Sequence, residues 1–101
     1  MEKTDRYIAK ELSWLAFNER VLQEAADVSV PPIQRLRYLG IFSNNLDEFF
    51  RVRVAEVRRQ ASASTASEQT YFKVLLEAIQ RRVIELQIQF ENIYFDALKN
   101  L

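Results

Sequence analysis

Turn-forming residues are nearly missing from this chain: its 101 residues include one glycine and two prolines, and the prolines are adjacent. An all-β domain needs a turn signal every few residues and cannot be built on that supply. Strong helix formers (Ala, Leu, Glu, Gln and Arg) dominate instead. The length suits one domain with a single core, and a composition 49% hydrophobic and 28% charged is that of a soluble globular protein. The expected class is all-α: a small antiparallel bundle of three to four helices ending in one long helix.

What the chain lacks narrows its chemistry. Fourteen Lys plus Arg balance fourteen Asp plus Glu. The basic excess by which a nucleic-acid binder neutralises phosphates is therefore absent, and no nucleic-acid partner is expected. Without cysteine there is no disulfide framework, thiolate nucleophile or thiolate metal site, which is compatible with a reducing cytoplasm. Without histidine as well, the commonest acid–base and covalent catalysts are unavailable. The polar start Met1-Glu2-Lys3-Thr4-Asp5-Arg6 does not read as a signal peptide, and no apolar run reaches membrane-spanning length.

Residues 1–12 read as a polar entry segment, with Ser13 as the N-cap of a first helix. Trp14, Leu15, Phe17, Val21, Leu22 and Ala25 recur at helical spacing, and Asn18, Glu19, Gln23 and Glu24 fill the other face. This helix should end near Asp27. Pro32 suits the first turn of a second helix, whose apolar side is Ile33, Leu36, Leu39 and Phe42. Gly40 followed by Ser43-Asn44-Asn45 suggests an end or kink, with a new helix starting at that tripeptide and running through Leu46, Phe50, Val54 and Val57 to about Gln60. Residues 61–69, small and polar, read as a linker.

The last thirty or so residues contain no Gly or Pro, and Phe72, Leu75, Ile79, Val83, Leu86, Phe90, Ile93 and Ala97 form a continuous core stripe. At 100° per residue, Ile84, Ile88 and Phe95 point almost opposite to it. Scattered exposed apolar side chains are normal. A helix apolar on two faces is usually buried on both, so this trio is a candidate docking face.

Two blocks carry a family resemblance. Glu11-Leu12-Ser13-Trp14-Leu15-Ala16-Phe17-Asn18-Glu19-Arg20-Val21-Leu22-Gln23-Glu24-Ala25 and Arg35-Leu36-Arg37-Tyr38-Leu39-Gly40-Ile41-Phe42-Ser43-Asn44-Asn45-Leu46-Asp47-Glu48-Phe49-Phe50, with Arg51-Val52-Arg53 after it, resemble the start of bacterial polyphosphate kinases in order, spacing and distance from the N-terminus. The resemblance implies an enzyme that reversibly transfers the terminal phosphate of ATP to inorganic polyphosphate. In that family a histidine of the C-terminal domains becomes phosphorylated and magnesium assists. Residues 1–101 would then be the helical N-terminal domain alone, inactive by itself, with magnesium bound outside it. ATP or ADP, polyphosphate and the remaining domains are the implied partners. The implied enzyme is homo-oligomeric and cytoplasmic, with membrane association open to its full form.

The resemblance further implies that Asn45 contacts the adenine. An amide supplies the donor and acceptor that an adenine edge requires, yet Ser-Asn-Asn before a helix is also what capping selects. Other residues have plainer readings. Arg51, Arg53, Arg58 and Arg59 suit a polyanion, but more simply form a solvated face paired with Asp47 and Glu56. Trp14 and Phe17 could stack on a base, although their spacing is that of core residues. Asp47 and Glu48, adjacent on a helix, point apart and serve the helix dipole better than a metal. The alternative to a nucleotide-contacting domain is a ligand-free helical assembly module acting through Ile84, Ile88 and Phe95.

Overall fold

The computed structural model describes the backbone of residues 2–101 and the side chains of residues 10–101. Five helical segments form three rods: α1 (Glu2–Ala26), then α2 (Pro32–Phe49), a π-helical turn (Phe50–Val54) and α3 (Ala55–Ser62) in one continuous rod, then α4 (Ala66–Lys99). Contacts run in opposite order along neighbouring rods. Glu11 meets Arg53, Asn18 meets Asn45 and Ala25 meets Arg35, while Phe42 meets Phe90 and Arg35 meets Asp96. The rods therefore pass up, down and up, as short connections dictate. At 1.5 Å per residue the 34 residues of α4 span about 51 Å, close to the bundle's longest dimension of 53 Å.

The core stripe of α4 is as the periodicity predicts. Phe72, Leu75, Ile79, Val83, Leu86 and Ala97 are buried, and Phe90 and Ile93 pack partly buried beside them. Leu15, Leu22 and Ala25 of α1 meet Leu39, Phe42, Leu46 and Phe49 of α2 in the same cluster. Pro31 and Pro32 open α2 as expected, Pro32 sitting where its missing N–H removes no helical bond.

Four boundaries differ from the sequence reading. α1 begins at Glu2, so residues 2–12 are helical and Ser13 is an exposed mid-helix residue, not a cap. Polar helix formers needed no apolar pattern to join that helix. Gly40 does not end α2, which runs on to Phe49; its φ is not positive, and a Cβ there would meet nothing within 4 Å. Ser43-Asn44-Asn45 consequently lies inside α2 and starts no helix. The linker shrinks to residues 63–65. Thr65 caps α4 by accepting from the Glu68 backbone N–H (3.4 Å) while its hydroxyl donates to the Glu68 carboxylate (3.0 Å), an N-cap hidden in the low-complexity stretch.

The π turn goes with a further difference. Buried positions along the rod fall at 35, 39, 42, 46 and 49, then jump five residues to 54 and 57. The spacing up to Phe49 is ordinary α-helix and selects Phe49 where the sequence suggests Phe50; an unbroken α-helix would then continue from Phe49 to Arg53, not to Val54. Across the turn the Ala55 N–H reaches back five residues to the Phe50 carbonyl, and the extra residue rotates the face. Phe49 is buried and stacks on Trp14 with ring centroids 4.6 Å apart, while Phe50 is left 38% exposed.

Candidate functional site: the amide seam between the first two helices

On α1 the positions facing α2 include Glu11, Trp14, Asn18 and Ala25. Asn18 stands in line with Leu15 and Leu22 and is fully buried, where the sequence pattern assigned it to the polar face. A buried amide is costly unless its hydrogen bonds are made. Here they are: the Asn18 Nδ2 donates to the Phe42 carbonyl (3.3 Å), and its Oδ1 accepts from the Asn45 Nδ2 (3.1 Å).

Asn45 is the outer member of this chain of amides. It is half-buried, on the α1 side of α2. Among the described residues its Oδ1 accepts from nothing, and none of their buried side-chain polar atoms lacks a partner, so this oxygen is not sealed from solvent. Phe17, beside Asn18, and Ile41, one turn before Asn45, are 59% and 47% exposed. Phe17 is thus a surface residue and not part of the core, whereas half-buried Trp14 packs on Phe49. The seam presents a polar acceptor with exposed apolar side chains nearby, an arrangement that suits a planar base.

The helix distributes the rest of the Ser43–Phe49 motif around the rod. Leu46 and Phe49 enter the core; Asn44 and Glu48 are exposed. Ser43 and Asp47 line a groove on the other side of α2, completed by Phe50, Gln87 and Phe90. Adjacent carboxylates point apart, as expected: Asp47 pairs with Arg51 at 3.1 Å on the surface. No group of three or more potential metal-ligating side chains occurs among the described residues.

The four arginines do not act as one patch. Arg51 pairs with Asp47 and Arg59 with Glu56, the surface pairing anticipated. Arg53 instead reaches across to Glu11 (3.2 Å), whose side chain is 4% exposed. Arg58 borders a groove with Phe50, Leu76 and Ile84. Two further ties went unseen in the sequence. Buried Arg35 donates to the Ala25 carbonyl (2.8 Å) and to Asp96 (2.7 Å), joining all three rods at one end. Glu19 accepts from Arg82 and from Gln89, clasping α1 to α4, and its bond to Arg82 pushes that guanidinium further above its ordinary value.

On α4, Ile84, Ile88 and Phe95 are 49%, 56% and 66% exposed, so they lie outside the core. Ile84 sits at the lip of the groove beside Phe50. No helix among the described residues is long and apolar enough to cross a membrane.

The family described as the polyphosphate kinase N-terminal domain matches residues 7–101. The polyphosphate kinase of Salmonella typhimurium strain LT2 is 54% identical over 93 residues, covering 91% of this chain and 14% of that protein. That of Vibrio cholerae is 55% identical over 89 residues (87% and 13%), and that of Escherichia coli K12 is 53% identical over 93 residues (91% and 14%). The chain thus spans about one seventh of the length of the curated relatives it matches. No solved structure gives a significant match.

Proposed function

The chain belongs to the polyphosphate kinase N-terminal domain family, and from that premise we propose that it forms the adenine side of the ATP site in an enzyme transferring the terminal phosphate of ATP reversibly to polyphosphate. The observation that carries this reading is the Asn45 Oδ1 left open to solvent, with exposed Phe17 and Ile41 nearby. Capping no longer competes for Asn45, because its backbone is inside α2. Mid-helix asparagine is a poor helix former, which favours a role outside helix stability.

Such a domain works at a distance from the chemistry. Holding the base, a part of the substrate that does not react, can orient the phosphates against groups supplied elsewhere in the enzyme. The family resemblance implies a phosphorylated histidine, and this sequence has none, so on this reading the reacting group belongs to the rest of the protein and the 101-residue chain is inactive alone. Magnesium is likewise held outside this domain, where it would neutralise phosphate charge. Asn45→Ala in the full-length protein should raise KM for ATP by the equivalent of about 1–3 kcal/mol, with kcat and polyphosphate affinity kept. A folded variant with unchanged KM for ATP would remove the base-contact reading.

A second role rests on the exposure of Ile84, Ile88 and Phe95. This face of α4 packs on the remaining domains or on another subunit of a homo-oligomer, so that the domain also serves assembly.

A further inference from the structure

We propose that Asn18 is a positioning residue that sets the purine preference of the nucleotide site by fixing which atom Asn45 presents; this rests on the reading of Asn45 as the base contact. The logic begins at a backbone atom. The Phe42 carbonyl can only accept, so Asn18 must turn its NH2 group toward it. That choice leaves Asn18 Oδ1 for Asn45, and an oxygen of this kind can only accept, so Asn45 must answer with its own NH2 group. The Asn45 carbonyl oxygen is then left open to solvent. Each amide is oriented by the one behind it, and the chain of orientation starts from a carbonyl that cannot be reversed.

The consequence is selective. A 6-amino purine offers an N6–H donor to the open oxygen. A 6-oxo purine brings a second acceptor against it, and a site built around one polar partner rejects the analogue that lacks it. Asn18 never touches the nucleotide: it is fully buried. Without it Asn45 is free to turn over and present its NH2 group, which suits either class of base in one of its two orientations.

A buried Asn could instead serve only to fix helix register. The two roles separate in the full-length protein, using ATP and inosine triphosphate as paired probes. Wild type should prefer ATP. Asn18→Leu should narrow the ratio of kcat/KM values (ATP over inosine triphosphate) by about fivefold, the worth of one neutral hydrogen bond; the change should lie in KM, and kcat should stay within about twofold of wild type. Asn18→Asp should keep the wild-type ratio, because a carboxyl oxygen still accepts from Asn45. Its melting temperature should nevertheless fall below that of the Leu variant, since it buries an acid. Retention of preference in the less stable variant is what a purely structural role would not produce. Where Asn18→Leu fails to fold, Asn18→Ala carries the same expectation. An unchanged ratio in the Leu or Ala variant, with KM for ATP still raised by Asn45→Ala, overturns the positioning role and leaves the base contact standing. A wild type indifferent to the two nucleotides overturns it as well. An Asn45→Ala variant with normal KM for ATP overturns both.

Discussion

The seam between α1 and α2 and the outer face of α4 solve opposite problems. Along the seam, polar side chains are buried and each has a partner: Asn18 with Asn45 and Phe42, Glu11 with Arg53, Arg35 with Ala25 and Asp96. On the outer face of α4, Ile88 and Phe95 are apolar and bare, with exposed Glu91 between them. Buried polar groups are directional, so they fix how two helices meet and which atoms point outward. Apolar surface is non-directional and specifies only that something should cover it. One region satisfies its own polar groups among the described residues, and the other is the face to which we assign a covering partner.

The most severe way to break the seam is through its aromatic end. Phe49→Ala should cost about 3–5 kcal/mol, because it removes a buried ring stacked on Trp14. Phe50→Ala, one residue on and partly exposed, should cost well under half of that. Chemical denaturation of both variants tests which of the two adjacent rings belongs to the core, since the sequence spacing Leu46, Phe50, Val54 gives the reverse order.

Ion pairs offer the next contrast. Arg53→Ala strands the Glu11 carboxylate in its buried position and should lower stability by about 3 kcal/mol. Arg51→Ala breaks an exposed pair and should fall within about 0.5 kcal/mol of wild type. Equal losses in the two melting curves would erase the distinction between the seam and the solvated surface.

The outer face should respond least in stability and most in association. Ile88→Ser with Phe95→Ser should change the unfolding free energy by no more than about 0.5 kcal/mol per site. Sedimentation of the full-length protein should show weaker assembly, or limited proteolysis a looser N-terminal domain. Lost helicity with unchanged assembly would assign the face to ordinary packing.

These contrasts were unevenly legible in the sequence. The core stripe of α4 could be read because a 34-residue helix repeats its period many times. Pro32 announced α2 by its own geometry. The start of α1 could not be read, since residues 2–12 carry helix formers without a consistent apolar face. Gly40 misled because its cost in a helix is small enough for packing on either side to outweigh. The Thr65–Glu68 pair was visible as a capping signature but submerged in small polar residues. Asn45 could be singled out through family resemblance; its setting could not, because its partner lies 27 residues away. One local sign did exist: Asn18 interrupts an otherwise apolar series of Leu15, Leu22 and Ala25.

The π turn also bears on how this rod tolerates changes in length. Measured as phase around its axis, the rod carries one residue more than a straight α-helix needs to keep its inward face aligned. Loss of one residue within 50–54 would relax the turn to α-helix and leave both flanking faces in register. Loss of one residue between Phe42 and Asn45 would instead swing the Asn45 amide by about 100° relative to Phe42, out of reach of Asn18. The spare residue makes the middle of the rod forgiving to a deletion that the stretch holding Asn45 cannot absorb.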